Sequence, residues 1–118
     1  MKTTTRALQV HETDPCCPGA DCALLPHDDA DELAAVFKAL GDPSRVRVLR
    51  YLADSREGTV CACHLPDALG ISQSTLSFHM RKHQEAGLVE REQRGRWAHW
   101  ALRRETYTRA AAFLHLDS

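Results

Sequence analysis

The chain has 118 residues, of which 43% are hydrophobic and 26% are charged, and its formal net charge is −1. This length fits one domain with a terminal arm, and no apolar run approaches the roughly 18 residues that a membrane-spanning helix needs. The first 14 residues contain no apolar stretch of signal-peptide length, so we expect a cytoplasmic protein in which disulfides are rare.

The charges are unevenly distributed along the chain. Residues 1–33 contain two basic and seven acidic side chains, a net charge of −5, whereas residues 34–118 contain 13 basic and 9 acidic ones, a net charge of +4. An acidic arm on a basic body is typical of some nucleic-acid-binding proteins. Many ordinary domains show a similar asymmetry, so the charges alone favour a nucleic-acid partner only weakly.

The first 27 residues show neither helical nor strand periodicity. Three prolines and a glycine interrupt them, at positions 15, 18, 26 and 19, and these residue types are typical of turns and loops. We therefore predict an arm with little intrinsic structure over residues 1–27 and one folded domain over residues 28–118. The arm contains three of the five cysteines, Cys16, Cys17 and Cys22.

Helical periodicity begins in the segment "DADELAAVFKALG". Its apolar residues recur at the spacing of one helix face, at Leu33, Val36, Phe37 and Leu40. Asp42 and Pro43 then predict the cap and the first position of a second helix, which runs to about Ala53. We expect Val46, Leu49 and Leu52 to face the core from this helix.

Two short helices follow, joined by a tight turn. The segment "TVCACHLPDALG" predicts a short extended piece that enters a third helix, which ends at Gly70. Ser72 then caps a fourth helix in "ISQSTLSFHMRKHQEAG", with Leu76 and Met80 facing inward. Two helices in this arrangement form a helix-turn-helix pattern.

In the C-terminal third, the spacing of apolar residues changes from that of a helix to that of a strand. Alternation in "LVEREQRGRWAHWALR" predicts two strands around a turn at "QRGR", a β-hairpin with a basic tip. The segment "RETYTRAAAFLHL" then predicts a last helix with an apolar face. The expected fold is mainly α with a small β-hairpin, a winged helix-turn-helix that forms a homodimer through its terminal helices.

The fourth helix and the hairpin tip contain the candidate DNA contacts. A recognition helix presents small polar and basic side chains to the major groove, where glutamine can pair with adenine and hydroxyl groups fit phosphates or base edges. The residues that we expect to contact DNA from the helix are Ser72, Gln73, Ser74, Thr75, Ser77, His79, Arg81 and Lys82. Arg94 and Arg96 at the hairpin tip suit phosphates or a minor groove.

These motifs together resemble the ArsR/SmtB family of metal-responsive repressors. The similar segments are "FKALGDPSRVRVLRYL" and "CACHLPDALGISQSTLSFHMRKHQEAGLVEREQRGRWAHWAL", within about residues 30 to 115. The chain departs from the family pattern at Met80 and His83, where leucine is usual. The resemblance implies a homodimeric repressor that binds double-stranded operator DNA without its inducer, and it implies no enzymatic activity.

The five cysteines favour a metal or metalloid over a disulfide framework, because the count is odd and the expected compartment is reducing. Thiolates select soft or borderline ions; three of them suit As(III), and four suit Cd(II) or Zn(II). Cys61 and Cys63 are two positions apart, so they point to the same side only in an extended or distorted segment. Neither this pair nor Cys16 and Cys17 closes a site alone, which favours a combination of the two.

The resemblance narrows the set of ions that could be the inducer. Members with "CVC" at the position of "CAC" resemble arsenite sensors and, when the arm also contains cysteines, cadmium/lead sensors of the CadC type. Some arsenite-sensing members have an adjacent "CC" in the arm, whereas the cadmium/lead sensors tend to space their arm cysteines apart. This implies As(III) or Sb(III) as the inducer, with Cys16, Cys17, Cys61 and Cys63 as ligands. We expect Cys22 not to be a ligand. The alternative inducers are Cd(II), Pb(II) or Zn(II).

We expect no metal ligand at His64 and no zinc site on the last helix. His64 stands where the family has an aspartate, and we interpret it as a capping or surface residue, although its nitrogen could bind zinc or cadmium. The zinc site that some family members have on the last helix is not expected, because Arg104 replaces its aspartate.

Two other classes of function are alternatives to the metalloid-responsive repressor. The first is a repressor that senses oxidants by forming a disulfide between the same cysteines. The second is a thiol enzyme, which has no support beyond the number of cysteines, since the chain has neither a C-x-x-C motif nor a phosphate-binding loop.

Overall fold

A computed structural model describes residues 23–116 of the chain, and the predicted arm cysteines at positions 16, 17 and 22 lie outside these residues. The described part contains α1 (His27–Ala39), α2 (Pro43–Asp54), β1 (Thr59–Cys61), α3 (Leu65–Leu69), α4 (Gln73–Glu85), β2 (Val89–Arg94), β3 (Trp97–Leu102) and α5 (Arg104–Leu114). The predicted winged helix-turn-helix is confirmed. No helix in this part of the chain has the length and apolar character needed to cross a membrane.

The second helix begins at the predicted cap. Asp42 Oδ2 accepts hydrogen bonds from the backbone amides of Ser44 (2.9 Å) and Arg45 (3.2 Å), and Pro43 occupies the first helical position. These bonds satisfy amide groups that have no partner inside the helix. The cap therefore fixes where α2 begins relative to α1.

A three-residue connection joins α3 to α4. Gly70 ends α3 with φ +72, a left-handed conformation that glycine adopts without a steric penalty. The amide of Ile71 then donates to the carbonyl of Pro66 (3.0 Å), and Ser72 Oγ accepts the amide of Thr75 (3.1 Å). These local bonds set the sharp turn of the helix-turn-helix and expose the N-terminal end of α4.

The predicted hairpin belongs to a three-stranded antiparallel sheet with the order β1-β3-β2. Arg94 pairs with Trp97 beside the wing turn, and Val89 pairs with Leu102 at the other end. The short extended piece before α3 is β1, and its Cys61 pairs with His99 of β3. Strand β1 therefore ties the cysteine segment to the wing.

The core lies where α1, α2, α4 and the sheet meet. Its largest fully buried side chains include Leu52, Leu76, Met80 and Leu88. The expectation for Val46 is wrong, because its side chain is 47% exposed. The buried face of α2 is centred on Val48, Leu49 and Leu52, and at about 100° per residue Val46 lies to one side of it.

Candidate nucleic-acid interface and thiol site

The N-terminal half of α4 presents a polar surface. Five of the predicted DNA-contact residues are exposed there: Ser72, Gln73, Ser74, Thr75 and Ser77. Ser72 Oγ lies 3.1 Å from Ser74 Oγ and donates to Thr75 Oγ1 (2.9 Å). These hydroxyl groups are therefore arranged by the helix cap itself.

The structure corrects the expectation for His79. This side chain is only 8% exposed, since it lies on the same inward row of α4 as Leu76, Met80 and His83. Its Nδ1 lies 3.1 Å from Arg45 Nη1, and its Nε2 lies 3.8 Å from Asp42 Oδ2. His79 therefore joins α4 to the start of α2 and leaves little of its surface for a contact with DNA.

The wing contains acidic as well as basic side chains. Arg94 Nη2 donates to Glu92 Oε1 (3.0 Å), and this hydrogen bond with the arginine charge lowers the pKa of Glu92 below its usual value. Arg94 and Arg96 are both exposed. Because a neighbouring carboxylate already offsets the charge of Arg94, the two arginines are not equivalent at the wing tip.

A groove of about 440 Å³ separates α4 from the wing. Its polar and aromatic lining includes Gln73, Ser77, Arg81, Arg91, Arg96 and Trp97. The guanidinium of Arg91 lies 6.0 Å from the centre of the Trp100 ring, within the range of a cation–π contact.

The sequence interpretation missed the place of Arg91 in this groove. Arg91 and Gln93 alternate along β2 and pair with Trp100 and Ala98 of β3, and all four residues line the groove. The sequence signal for this was the strand period of two in "VEREQR", which places Arg91 and Gln93 on the same face of β2.

Two cysteines lie together where β1 leads into the turn before α3. Cys61 is half-buried at the end of β1, and Cys63 is exposed; within residues 23–116, neither forms a disulfide. The backbone amide of Cys63 donates to Cys61 Sγ (3.2 Å). A hydrogen bond with Cys61, followed by desolvation and the Cys61 charge, raises the pKa of the Cys63 thiol. The bond from the Cys63 amide therefore places Cys61 Sγ beside the backbone of the second cysteine.

His64 and Tyr51 adjoin this pair of thiols. Tyr51 Oη lies 3.1 Å from His64 Nε2, and His64 Nδ1 lies 4.0 Å from Cys63 Sγ. The His64 side chain is exposed and caps no helix amide. Its ring meets that of Tyr51 edge-on, with centres 6.0 Å apart, so a tyrosine of α2 orients the imidazole beside the cysteines.

The thiol pair is an incomplete ligand set. Among residues 23–116, no group of three or more histidine, cysteine, aspartate or glutamate side chains is arranged to hold a metal ion. Two neighbouring thiols nevertheless have the donor chemistry that soft ions prefer. A three- or four-thiolate site that includes Cys61 and Cys63 would need further cysteines from outside the described residues or from a second chain.

An apolar surface lies on α1 and α5. Phe113 and Leu114 are 52% and 67% exposed, and the Phe113 ring packs at 5.9 Å from that of Phe37. Arg109 of α5 forms an ion pair with Glu32 of α1. The two terminal helices therefore pack on each other and still expose a large apolar face.

Comparison with known sequences identifies a family. The profile described as bacterial regulatory protein, arsR family, matches residues 42–91. The chain is 36% identical over 84 residues to the putative arsenical resistance operon repressor ArsR2 of Halobacterium salinarum, which covers 69% of this chain and 70% of that protein. It is 39% identical over 70 residues to the arsenic resistance transcriptional regulator ArsR1 of Pseudomonas putida. This match covers 59% of this chain and 53% of that protein.

A cadmium-related sequence and two solved structures are similar too. A cadmium resistance regulatory protein CadC homolog of Staphylococcus aureus is 33% identical over 71% of this chain and 69% of that protein. An ArsR-like transcriptional regulator from Rhodococcus superposes with a TM-score of 0.61 at 29% identity, over 74% of this chain and 79% of that one. A homodimeric winged helix-turn-helix DNA-binding domain from Mycobacterium bovis superposes with a TM-score of 0.60 at 25% identity, over 80% and 94% of the two chains.

Proposed function

We propose that this chain, which belongs to the ArsR family of bacterial transcriptional regulators, is a repressor that leaves operator DNA when a soft ion binds its cysteines. The observation that carries the proposal is the contact between the Cys63 backbone amide and Cys61 Sγ, which places a half-buried cysteine at the end of β1 beside an exposed one in the following turn. Thiolates at neighbouring positions bind soft ions in preference to magnesium or calcium.

The position of the thiols suits a switch. The turn that contains them joins β1, which pairs with the wing strand β3, to α3, which precedes the recognition helix α4. An ion held there would act on both DNA-contacting elements. A coupling free energy of roughly 1–3 kcal/mol, typical of allosteric proteins, would lower DNA affinity about 5- to 150-fold.

We propose As(III) or Sb(III) as the inducer, bound by three thiolates from the set Cys16, Cys17, Cys61 and Cys63. Three thiolates match the pyramidal coordination of As(III), and the similar arsenical resistance regulators of Pseudomonas and Halobacterium support this choice. Cd(II), Pb(II) or Zn(II) with four thiolates is the alternative, supported by the similar cadmium resistance protein of Staphylococcus.

The DNA-bound form is proposed to be a homodimer. The exposed apolar face of α5, with Phe113 and Leu114, fits a second copy of the chain, because such a face is costly to leave in water. A two-fold dimer would place its two α4 helices in successive major grooves, about 34 Å apart. Gln73, Ser77 and Arg81 of each copy would then face the bases, and Arg94 and Arg96 would contact the backbone or minor groove.

The test is fluorescence anisotropy with a duplex that the reduced protein selects from a random DNA library. The bound complex is titrated with arsenite, Cd(II), Zn(II) and peroxide in turn. We expect release by arsenite at a far lower concentration than by Zn(II). We also expect loss of this response in Cys61→Ser with Cys63→Ser, and in Cys16→Ser with Cys17→Ser.

Cys22→Ser is the matched control, and we expect it to respond like the wild type. Release by Cd(II) without a response to arsenite would move the assignment to a four-thiolate cadmium or lead sensor. Release by peroxide alone would mean that the signal is formation of a disulfide and not binding of an ion. A duplex that stays bound under all four additions would refute the thiol switch.

A further inference from the structure

We propose that Phe78 reads sequence in the operator by packing on the C5-methyl group of a thymine in the major groove. The proposal rests on DNA binding by α4, which is part of the proposed function. It adds an apolar contact to a recognition helix whose other candidate contacts are polar or basic.

Phe78 is placed on the outward surface of α4. Its side chain is 43% exposed, although the inward row of the same helix is fully buried at Leu76 and Met80. On the helix surface it lies one turn beyond Ser74 and one turn before Lys82. The next row, formed by Gln73, Ser77 and Arg81, lines the groove toward the wing. Phe78 is therefore surrounded by candidate DNA contacts.

The ring is held in position by its neighbours. Its edge-on contact with the His79 ring has a centroid distance of 5.8 Å and an interplanar angle of 61°. Arg81 Cζ and Lys82 Nζ lie 5.9 Å and 5.2 Å from the ring centre, within the range of cation–π contacts. A buried imidazole and two cations thus hold the ring before any partner binds.

The two cations indicate what kind of partner covers the ring. An apolar ring beside Arg81 and Lys82 suits a polyanion that also offers an apolar surface. In the major groove of DNA, the C5-methyl group of thymine is the apolar feature of the base edges, and phenylalanine is one of the side chains that contact it. Because a phenyl ring makes no conventional hydrogen bond, this contact distinguishes thymine from cytosine by its methyl group alone.

The experiment replaces single methyl groups in the DNA. A duplex is selected from a random library by the wild-type protein, and each thymine is then replaced in turn by deoxyuridine, which lacks the methyl group. Affinities are measured by fluorescence anisotropy for the wild type, Phe78→Ala and Phe78→Leu. Val46→Ala, at an exposed apolar position of α2, is the matched control.

We expect one thymine in each half-site at which deoxyuridine weakens wild-type binding about fourfold, the effect of one buried methyl group. Phe78→Ala is expected to bind both duplexes equally, Phe78→Leu to keep part of the difference, and Val46→Ala to keep all of it. Circular dichroism of each variant checks that it folds.

Three outcomes would overturn the inference. Phe78→Ala with the wild-type sensitivity to every deoxyuridine would show that the ring does not touch a methyl group. A changed oligomeric state in Phe78→Ala, with methyl sensitivity unchanged, would assign the ring to a contact between copies. A wild-type protein that selects no sequence at all would refute DNA recognition itself, and so the proposed function, rather than Phe78 alone.

Discussion

His83 Nε2 lies 2.9 Å from the backbone carbonyl oxygen of Arg45, and this bond joins the last turn of the recognition helix to α2. The His83 side chain is fully buried, and its Nδ1 has no hydrogen-bond partner among the described residues. Because a carbonyl only accepts, Nε2 carries a proton and donates, and a second proton on Nδ1 would be a buried donor without a partner. A neutral histidine therefore occupies the core position where the family has leucine.

The first prediction concerns pH and stability. Burial lowers the pKa of His83 below its usual value, and the nearby charges of Arg45 and His79 act in the same direction, although the bond to the Arg45 carbonyl opposes them. The unfolded chain therefore binds more protons than the folded one just below pH 6.5, so the stability due to neutral His83 is complete above this pH and is lost as the pH falls. Urea denaturation between pH 5 and 8 measures this loss.

His83→Leu and His27→Gln separate this effect from that of other histidines. We expect His83→Leu to show a weaker loss of stability on acidification than the wild type, because a leucine cannot be protonated. His27 is exposed at the start of α1, so His27→Gln is expected to follow the wild-type curve. Equal pH dependence in the wild type and His83→Leu would contradict the prediction.

The second prediction concerns Arg45, which links three helices. Its Nε donates to the carbonyl of Ala39 at the end of α1 (2.7 Å), and its Nη1 lies 3.1 Å from His79 Nδ1 of α4. We expect Arg45→Ala to lower the free energy of unfolding by about 1–3 kcal/mol, because half-buried polar groups lose their partner. Urea denaturation measures the difference.

Arg47 is the matched control for Arg45, since it is an exposed arginine on the same helix. We expect Arg47→Ala to change stability by less than about 0.5 kcal/mol, as is usual for surface positions. A loss of the same size in both variants would contradict the role of the Arg45 bonds, since alanine is the stronger helix former and does not itself weaken α2.

The third prediction distinguishes the two wing arginines. Arg94 donates to Glu92, whereas no hydrogen bond or ion pair within the described residues is found for Arg96. We expect Arg96→Ala to reduce the slope of log affinity against log salt by about one unit, and Arg94→Ala to reduce it less. Glu92→Gln is expected to raise affinity, because it removes a negative charge beside the DNA.

Anisotropy titrations from about 50 to 200 mM salt measure these slopes. Arg50→Ala is the control, since Arg50 pairs with Asp54 on α2, and we expect the wild-type slope from it. If both wing variants keep the wild-type slope, the wing does not contact phosphates.

The fourth prediction concerns assembly. Phe113→Asp with Leu114→Asp places charges on the exposed apolar face of α5, and burying unpaired charges against a second copy is costly. We expect sedimentation velocity to show a monomer for this double variant and a dimer for the wild type. Val46→Asp, on α2, is the control and is expected to remain dimeric. A wild-type monomer would refute the proposed homodimer.

Much of the fold could be predicted from local patterns. The cap at Asp42, the end of α3 at Gly70 and the hairpin turn near Gly95 all lie where the sequence indicates them. Each of these features depends on residues a few positions apart, so a short segment specifies it. The burial of His83 was also predictable, since it continues the inward row of α4.

Other features depend on contacts between distant segments. The burial of His79 follows from Asp42 and Arg45, more than 30 positions away in the chain, which meet it from α2. The exposure of Val46 follows from which face of α2 meets α4 and the sheet. Periodicity defines an apolar stripe only to within about one residue, so it does not assign the residues at its edges.

The sequence by itself determined the order of helices and strands, the family, and the soft-ion chemistry available to the cysteines, because residue type and short-range spacing encode all three. Only the tertiary structure decided that Cys61 ends a strand paired with the wing, that Cys63 lies against it beside His64, and that Phe78 stands outward beside two cations. The physical reason is that such arrangements arise when elements pack on one another, and packing depends on side chains that are far apart in the chain.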